Sequence, residues 1–224
     1  MGRTTLLSSF ALLMLGACKG YPPSFSGSPV WQMFPFDGER TWTYISTDTT
    51  LPYKLVAHST GEPEVVGGDN VYTIEYTSSC FGADPSCIDG EVLRRVKWSS
   101  NVTDGVFVHA WAEGDDAFVD LEPPIHVTLD DMKRGETLET TTAGAVWTST
   151  MSGIEECPIA LSAAWDECGR FEVSVEGTDG YPVAGAYWAT VGNGIAAMEL
   201  ATETGVWQLS DLDCQTENDC DGTW

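Results

Sequence analysis

Three histidines, seven cysteines and 34 acidic side chains are the groups in this 224-residue chain whose types suit chemistry. His58, His109 and His126 stand far apart, with no H-x-H or H-x-x-x-H spacing, so a metal site would need three separate strands to converge. His109 shares an alternating face with Phe107 and Trp111, which makes it a packed or rim histidine. His126 alternates away from Ile125, Val127 and Leu129 and is expected to point at solvent. No G-x-S-x-G elbow and no S-x-x-K pair occurs, so no serine has the local setting of a nucleophile. Asp115-Asp116, Asp130-Asp131 and Glu155-Glu156 are adjacent acids. Glycoside hydrolysis needs two carboxylates roughly 5–9.5 Å apart on one site, whereas neighbours on a strand point to opposite faces. The tail places Glu217, Asp219 and Asp221 before Gly222, as an EF-hand loop opens. The bidentate Glu such a loop needs at its twelfth position would fall beyond Trp224, so these are weak calcium candidates only. No catalytic residue, metal set or cofactor is expected.

Six of the cysteines, all but Cys18, form an even set. In an exported protein that implies disulfides, with 15 possible connectivities. Their spacing favours local bridges: Cys80–Cys87, Cys157–Cys168 and Cys214–Cys220. Each would close a short loop worth about 2–3 kcal/mol in the chain-entropy model. The middle pair holds a conflict. "CPIALSAAWDEC" contains good helix formers, but a continuous helix would separate its ends by ~16 Å, and a disulfide needs Cα atoms within about 7 Å. Ile159, Leu161, Ala163 and Trp165 alternate as in an extended or bent segment, and the bridge is the expectation. With no C-x2-C pair, zinc is not expected.

Nine tryptophans are many for this length. Exposed rows of them would suit stacking on sugar rings. Trp42, Trp98, Trp111, Trp147, Trp188 and Trp207 instead lie in alternating strand contexts, which points to core positions with the indole N–H satisfied. Trp31, with Phe34 and Phe36, is less committed. The 34 acids face 10 bases, a formal charge of −24. Such a chain does not bind nucleic acid through phosphates and lacks a polybasic membrane-docking surface. The charges are scattered and read as a solvated, self-repelling surface.

These groups ride on short β-type segments. In "FEVSVE" Phe171, Val173 and Val175 alternate with Glu172, Ser174 and Glu176, and "TWTYI", "VYTIEY" and "IHVTL" behave similarly, while "AVWTSTM" and "AYWATV" are rich in the strand formers Thr, Trp, Tyr and Val. "EVLRRVKW" is weaker, because Arg94 interrupts the apolar row of Val92, Val96 and Trp98. Turn signals separate the segments: Gly67-Gly68-Asp69-Asn70, Asp89-Gly90, Asp104-Gly105, Asp179-Gly180 and Gly192-Asn193-Gly194. No long amphipathic helix follows the first 17 residues. The expected fold is all-β: an antiparallel sheet, either a curved open half-barrel or a sandwich, stabilised by local disulfides.

The amino end has a different character. Arg3 precedes an apolar run from Leu6 to Leu15, the layout of an export signal and too short for a spanning helix, which needs roughly 20 apolar residues. Leu15-Gly16-Ala17-Cys18 resembles the lipobox of bacterial lipoproteins. The resemblance implies cleavage before Cys18, diacylation of its sulfur and acylation of its new amine, which makes membrane lipid the expected partner. Several acyl chains together hold where one is marginal. Removing residues 1–17 takes away Arg3 and no acid, so the mature chain is one unit more negative than the full one. By the sorting pattern of enterobacterial lipoproteins, Lys19 is compatible with the outer membrane. Residues 18–30, rich in Pro, Ser and Gly, read as the lipidated cysteine and a tether averaging roughly 20 Å end to end. Residues 31–224 read as a single β-rich domain with a cysteine-containing tail.

"FPFDGERTWTY" (Phe34 to Tyr44) is similar to the opening strand of uncharacterised β-rich bacterial envelope lipoproteins, and "YWATVGNGIAAMEL" with "GVWQLSDL" to their closing hairpins. That resemblance implies a fold and carries no catalytic residues. The functional expectation is a lipid-anchored envelope protein with a non-catalytic binding or structural role. A carrier of an apolar ligand would instead hold a cavity of several hundred Å³. A carbohydrate binder would show a flat row of exposed aromatics. A hydrolase, the last alternative, would bring a histidine to a carboxylate.

Overall fold

Strand-forming segments separated by tight turns pair with their neighbours in chain order, because short connections leave antiparallel adjacency as the cheapest arrangement. The computed structural model describes residues 33–82, 84–101, 103–129, 132–160, 167–176 and 181–214. Among them there is no α-helix. The strands are β1 (Glu39–Ser46), β2 (Tyr53–Thr60), β3 (Glu64–Val66), β4 (Asp69–Cys80), β5 (Val92–Asn101), β6 (Gly105–Glu113), β7 (Val119–Thr128), β8 (Thr137–Thr142), β9 (Ala145–Glu155), β10 (Cys168–Val175), β11 (Gly185–Thr190), β12 (Gly194–Leu200) and β13 (Trp207–Cys214). One sheet holds them all, in the order β7-β6-β5-β4-β2-β1-β13-β12-β11-β10-β9-β8, with β3 paired to β4 alone.

The first and last strands of the chain are joined: β1 pairs antiparallel with β13 from Arg40↔Cys214 to Ser46↔Trp207. The two ends of the path, β7 and β8, lie against each other without a backbone ladder. Side chains fasten this seam. The His126 N–H donates to Thr140 Oγ1 on β8 at 3.2 Å, and one strand further the Ser149 hydroxyl of β9 donates to the Val127 carbonyl. Pro123 and Pro124 in β7 have no N–H to give a ladder, which confines them to an edge. The result is a nearly closed up-and-down barrel. The half-barrel expectation is thus carried almost to closure, and the single continuous path replaces the sandwich alternative.

About eight strands already leave an interior that side chains alone can fill, so this longer circuit needs additional filling. Two pieces of chain supply it. Met33, Phe34 and Phe36 are fully or nearly fully buried. The Phe34 ring lies 6.2 Å from Trp98 on β5 and 6.0 Å from Phe171 on β10, and Phe36 lies 5.7 Å from Trp98. The second piece is the turn between β11 and β12 together with the start of β12. Three successive inward residues of β1 donate to it: Arg40 Nη1 to Gly192 O at 2.7 Å, Trp42 Nε1 to Asn193 O at 2.7 Å, and Tyr44 OH to Ile195 O at 2.8 Å. Gly194 has φ +87°, and a Cβ there would sit 3.2 Å from Trp42 Nε1, so glycine permits both the turn and the contact. A small void among the described residues, lined by Phe36, Trp42, Tyr44, Ala57, Ile74, Tyr76 and Ile195, has room for about one water.

Because the start of β12 leans inward, its ladder with β13 is limited to Ala197↔Gln208 and Met198↔Trp207. The outer side is covered by the segment after β9. Cys157 bonds Cys168 with a Cα–Cα distance of 5.0 Å, and the Ala160 N–H donates to Leu209 O at 3.0 Å. Cys157, Cys168, Ala186, Trp188, Ala196 and Ala197 form a second small core there. The bridge, not the helix, resolves the conflict in this stretch. The Cys80–Cys87 bridge is also present. The third expected bridge involves Cys220, outside the described residues.

Candidate functional site

The residue that interrupts the apolar row of β5 turns out to point inward. Arg94 pairs across β4 with Tyr76, and a fully inward arginine requires compensation from several sides. Its guanidinium lies 4.3 Å from the centre of the Tyr76 ring. Nη2 contacts Met198 Sδ at 3.2 Å, and Nη1 pairs with Glu203 Oε1. Glu203 sits in the turn between β12 and β13, and its other oxygen accepts from Trp207 Nε1. The Trp207 ring packs 5.7 Å from Tyr53. That turn is tied to the one after β1 by Thr204 Oγ1 donating to Asp48 Oδ2 at 2.6 Å and by Val206 N–H donating to Thr47 Oγ1 at 2.9 Å. Burial raises the pKa of Tyr44, Tyr76 and Tyr187 above the usual tyrosine range, so all three hydroxyls stay neutral donors around the arginine.

Beside this cluster an open depression of ≈ 460 Å³ runs along β10, β11 and β12. Val173, Val175, Ala184, Leu200 and Ala201 contribute apolar surface, and Glu172, Glu199 and Glu203 stand among its lining residues. Glu172 is held by Arg170 at 2.9 Å. Glu203 lines the depression, and Arg94, paired to it, lies behind it on the interior side, so the pair forms a polar junction between the two.

No family model, curated protein or solved structure matches this chain. Its chemistry has to be read from its own side chains.

The three histidines do not converge. His58 Nδ1 contacts Thr41 Oγ1 at 3.1 Å on β1 and β2. His109 and His126 come near one another on β6 and β7, but against Phe107: the His126 ring stacks on it at 4.2 Å, and His109 lies 6.4 Å from it. His109 Nε2 contacts Ser99 Oγ at 2.7 Å, and His126 Nε2 contacts the Asp104 carbonyl oxygen at 2.8 Å. His126 takes the outward face, opposite buried Ile125 and Val127, and is partly covered there by Phe107. An irregularity between Val108 and Ala110 in the β6–β7 ladder separates His109 from Trp111, which packs edge-on to Tyr181 at 5.9 Å. Among the described residues no group of three or more His, Cys, Asp or Glu is placed to hold a metal ion. Asp130-Asp131, Trp31, Trp165, Asp179-Gly180, the leader with Cys18, and Glu217, Asp219 and Asp221 all lie outside the described residues.

Desolvation lowers the pKa of both His109 and His126. Protonation then favours the unfolded chain, where the ordinary value near 6.5 applies. Stability is full above that value and is expected to fall as pH drops through the lower folded values. The melting temperature between pH 7.5 and 5 should decline less in a His109→Gln, His126→Gln double variant than in the native protein.

The tryptophans take core positions, with one amendment. Trp42, Trp188 and Trp207 donate to Asn193 O, Glu155 and Glu203, whereas the buried indole nitrogens of Trp98, Trp111 and Trp147 have no hydrogen-bond partner among the described residues. Phe81 is the one aromatic among the exposed large apolar side chains of the described residues. The inward arginine is the feature that periodicity alone missed as a site. The broken apolar row at Arg94 was its signal.

Proposed function

We propose that this chain is a lipid-anchored cell-envelope protein, fastened through acylated Cys18, whose barrel has a non-catalytic binding or structural role. The leader pattern ending at Leu15-Gly16-Ala17-Cys18 supports the anchor, and Lys19 fits placement in the outer membrane. Two formed disulfides agree with an oxidising compartment. The observation that supports this choice of role is the interior: among the described residues Phe34, Trp98, Trp147, Phe171, Met198 and Trp207 are buried in it, and the void beside Phe36, Trp42 and Tyr76 has room for about one water. Binding on this reading uses the surface and the Arg94 junction, not a hollow core.

Intact mass and metabolic labelling with an alkyne fatty acid test the anchor. The native protein should begin at residue 18, carry the added mass of its acyl chains and take up label. A Cys18→Ala variant should retain the leader and remain unlabelled. A native mature protein that starts beyond residue 18 with no added mass would overturn the reading.

A further inference from the structure

Beyond the role proposed above, we infer that the Arg94 guanidinium is the receptor for a small monocarboxylate with an apolar body, and that the Glu203 side chain occupies this place in the ligand-free protein. A guanidinium fork matches a carboxylate's two oxygens, and recognition of that group is what arginine does best. Within the barrel Arg94 is 4% exposed, yet its carboxylate partner does not come from the strands beside it. Glu203 comes from a turn, and its side chain is 29% exposed against 5% for Arg94. The Glu203 carboxylate can therefore leave without breaking a ladder. Trp207 Nε1, which donates to the same carboxylate, would donate to its replacement.

The surroundings define the ligand. Glu203 lines the ≈ 460 Å³ depression, a volume within the range of small-molecule sites. An apolar body would lie against Val175 and Ala201, over the nearly buried Val173, Ala184 and Leu200. Tyr76, against which Arg94 stacks, lines the small interior void, which has room for about one water, so the apolar body stays on the side of the depression. Glu172 and Glu199 in the lining repel a second negative charge, which selects one carboxylate over polyanions. A buried ion pair contributes little net stability compared with apolar replacements of similar volume, so stability alone does not explain an arginine here. Capture of an incoming carboxylate does.

The test uses the purified mature protein, held in phosphatidylcholine discs where acylated, with hexanoate as probe and hexanamide as its uncharged control. Tryptophan fluorescence reports through Trp207. Hexanoate should give a saturable change with native protein, and Glu203→Gln, which keeps the shape but removes the competing charge, should tighten binding at least tenfold. Arg94→Met should weaken it at least tenfold, and hexanamide should give no saturable change. If Arg94→Met does not fold, the comparison of native protein with Glu203→Gln decides alone. Hexanoate binding that is absent from both proteins, no tighter in Glu203→Gln, or matched by hexanamide would overturn the inference. The fluorescence reading is separate from the mass of Cys18, so failure here leaves the anchor untouched, and the reverse.

Discussion

Replacing Phe34 with alanine is expected to destabilise the protein by about 3–5 kcal/mol, the range for emptying a large aromatic from a closed core. Phe34 precedes β1 and belongs to no strand, so a view of the barrel as ladders alone would assign it almost nothing. Its ring is 1% exposed and meets Phe36 beside it and Trp98 on β5 and Phe171 on β10, on separate parts of the sheet path. The cavity left behind would be surrounded by hydrogen-bonded strands that cannot collapse around it. For a chain of this size the loss corresponds to a fall in melting temperature of roughly 6–20 °C. Phe81→Ala is the matched control. Phe81 is 51% exposed, and its removal should stay within about 0.5 kcal/mol. Equal effects from the two substitutions would mean that residues 33–36 do not fill the barrel.

The second large effect is expected at Glu203. Glu203→Ala leaves Arg94 without its carboxylate and Trp207 Nε1 without an acceptor. Breaking a buried pair from one side typically costs 3–5 kcal/mol. The partial exposure of Glu203 lets water reach the vacated position, which places this case near about 3 kcal/mol. Removing both partners is a different experiment. Arg94→Met with Glu203→Leu leaves no uncompensated charge and fills similar volume, so it should recover most of the loss. Denaturant unfolding of the two single variants and the double closes the cycle. If the double variant is as unstable as the sum of the singles, the two charges do not interact and the polar junction described here is wrong. Added salt should change the native value little, because buried pairs are poorly screened.

The architecture was largely legible from the sequence. Alternation in "FEVSVE" became β10, the strand formers of "AVWTSTM" became part of β9, and Gly67-Gly68 became the two-residue turn joining Val66 and Asp69. The bridge between Cys157 and Cys168 followed from an incompatibility of lengths, a purely local consideration. These features depend on neighbours in the chain, and neighbours are what a sequence displays. The lipobox-like Leu15–Cys18 is local in the same way.

Closure and filling were decided elsewhere. Nothing near Glu39 states that β1 will pair with β13, because that ladder joins residues at opposite ends of the domain. Nor does the stretch around Gly192 state that its carbonyls will receive Arg40, Trp42 and Tyr44. Arg94 shows the limit most sharply. From the sequence it is a flaw in an apolar row. Only the curvature that brings the β12–β13 turn over β5 supplies Glu203 and makes the flaw a site. Periodicity fixes which face of a strand a side chain occupies, while the long-range pairing of strands determines what that face meets.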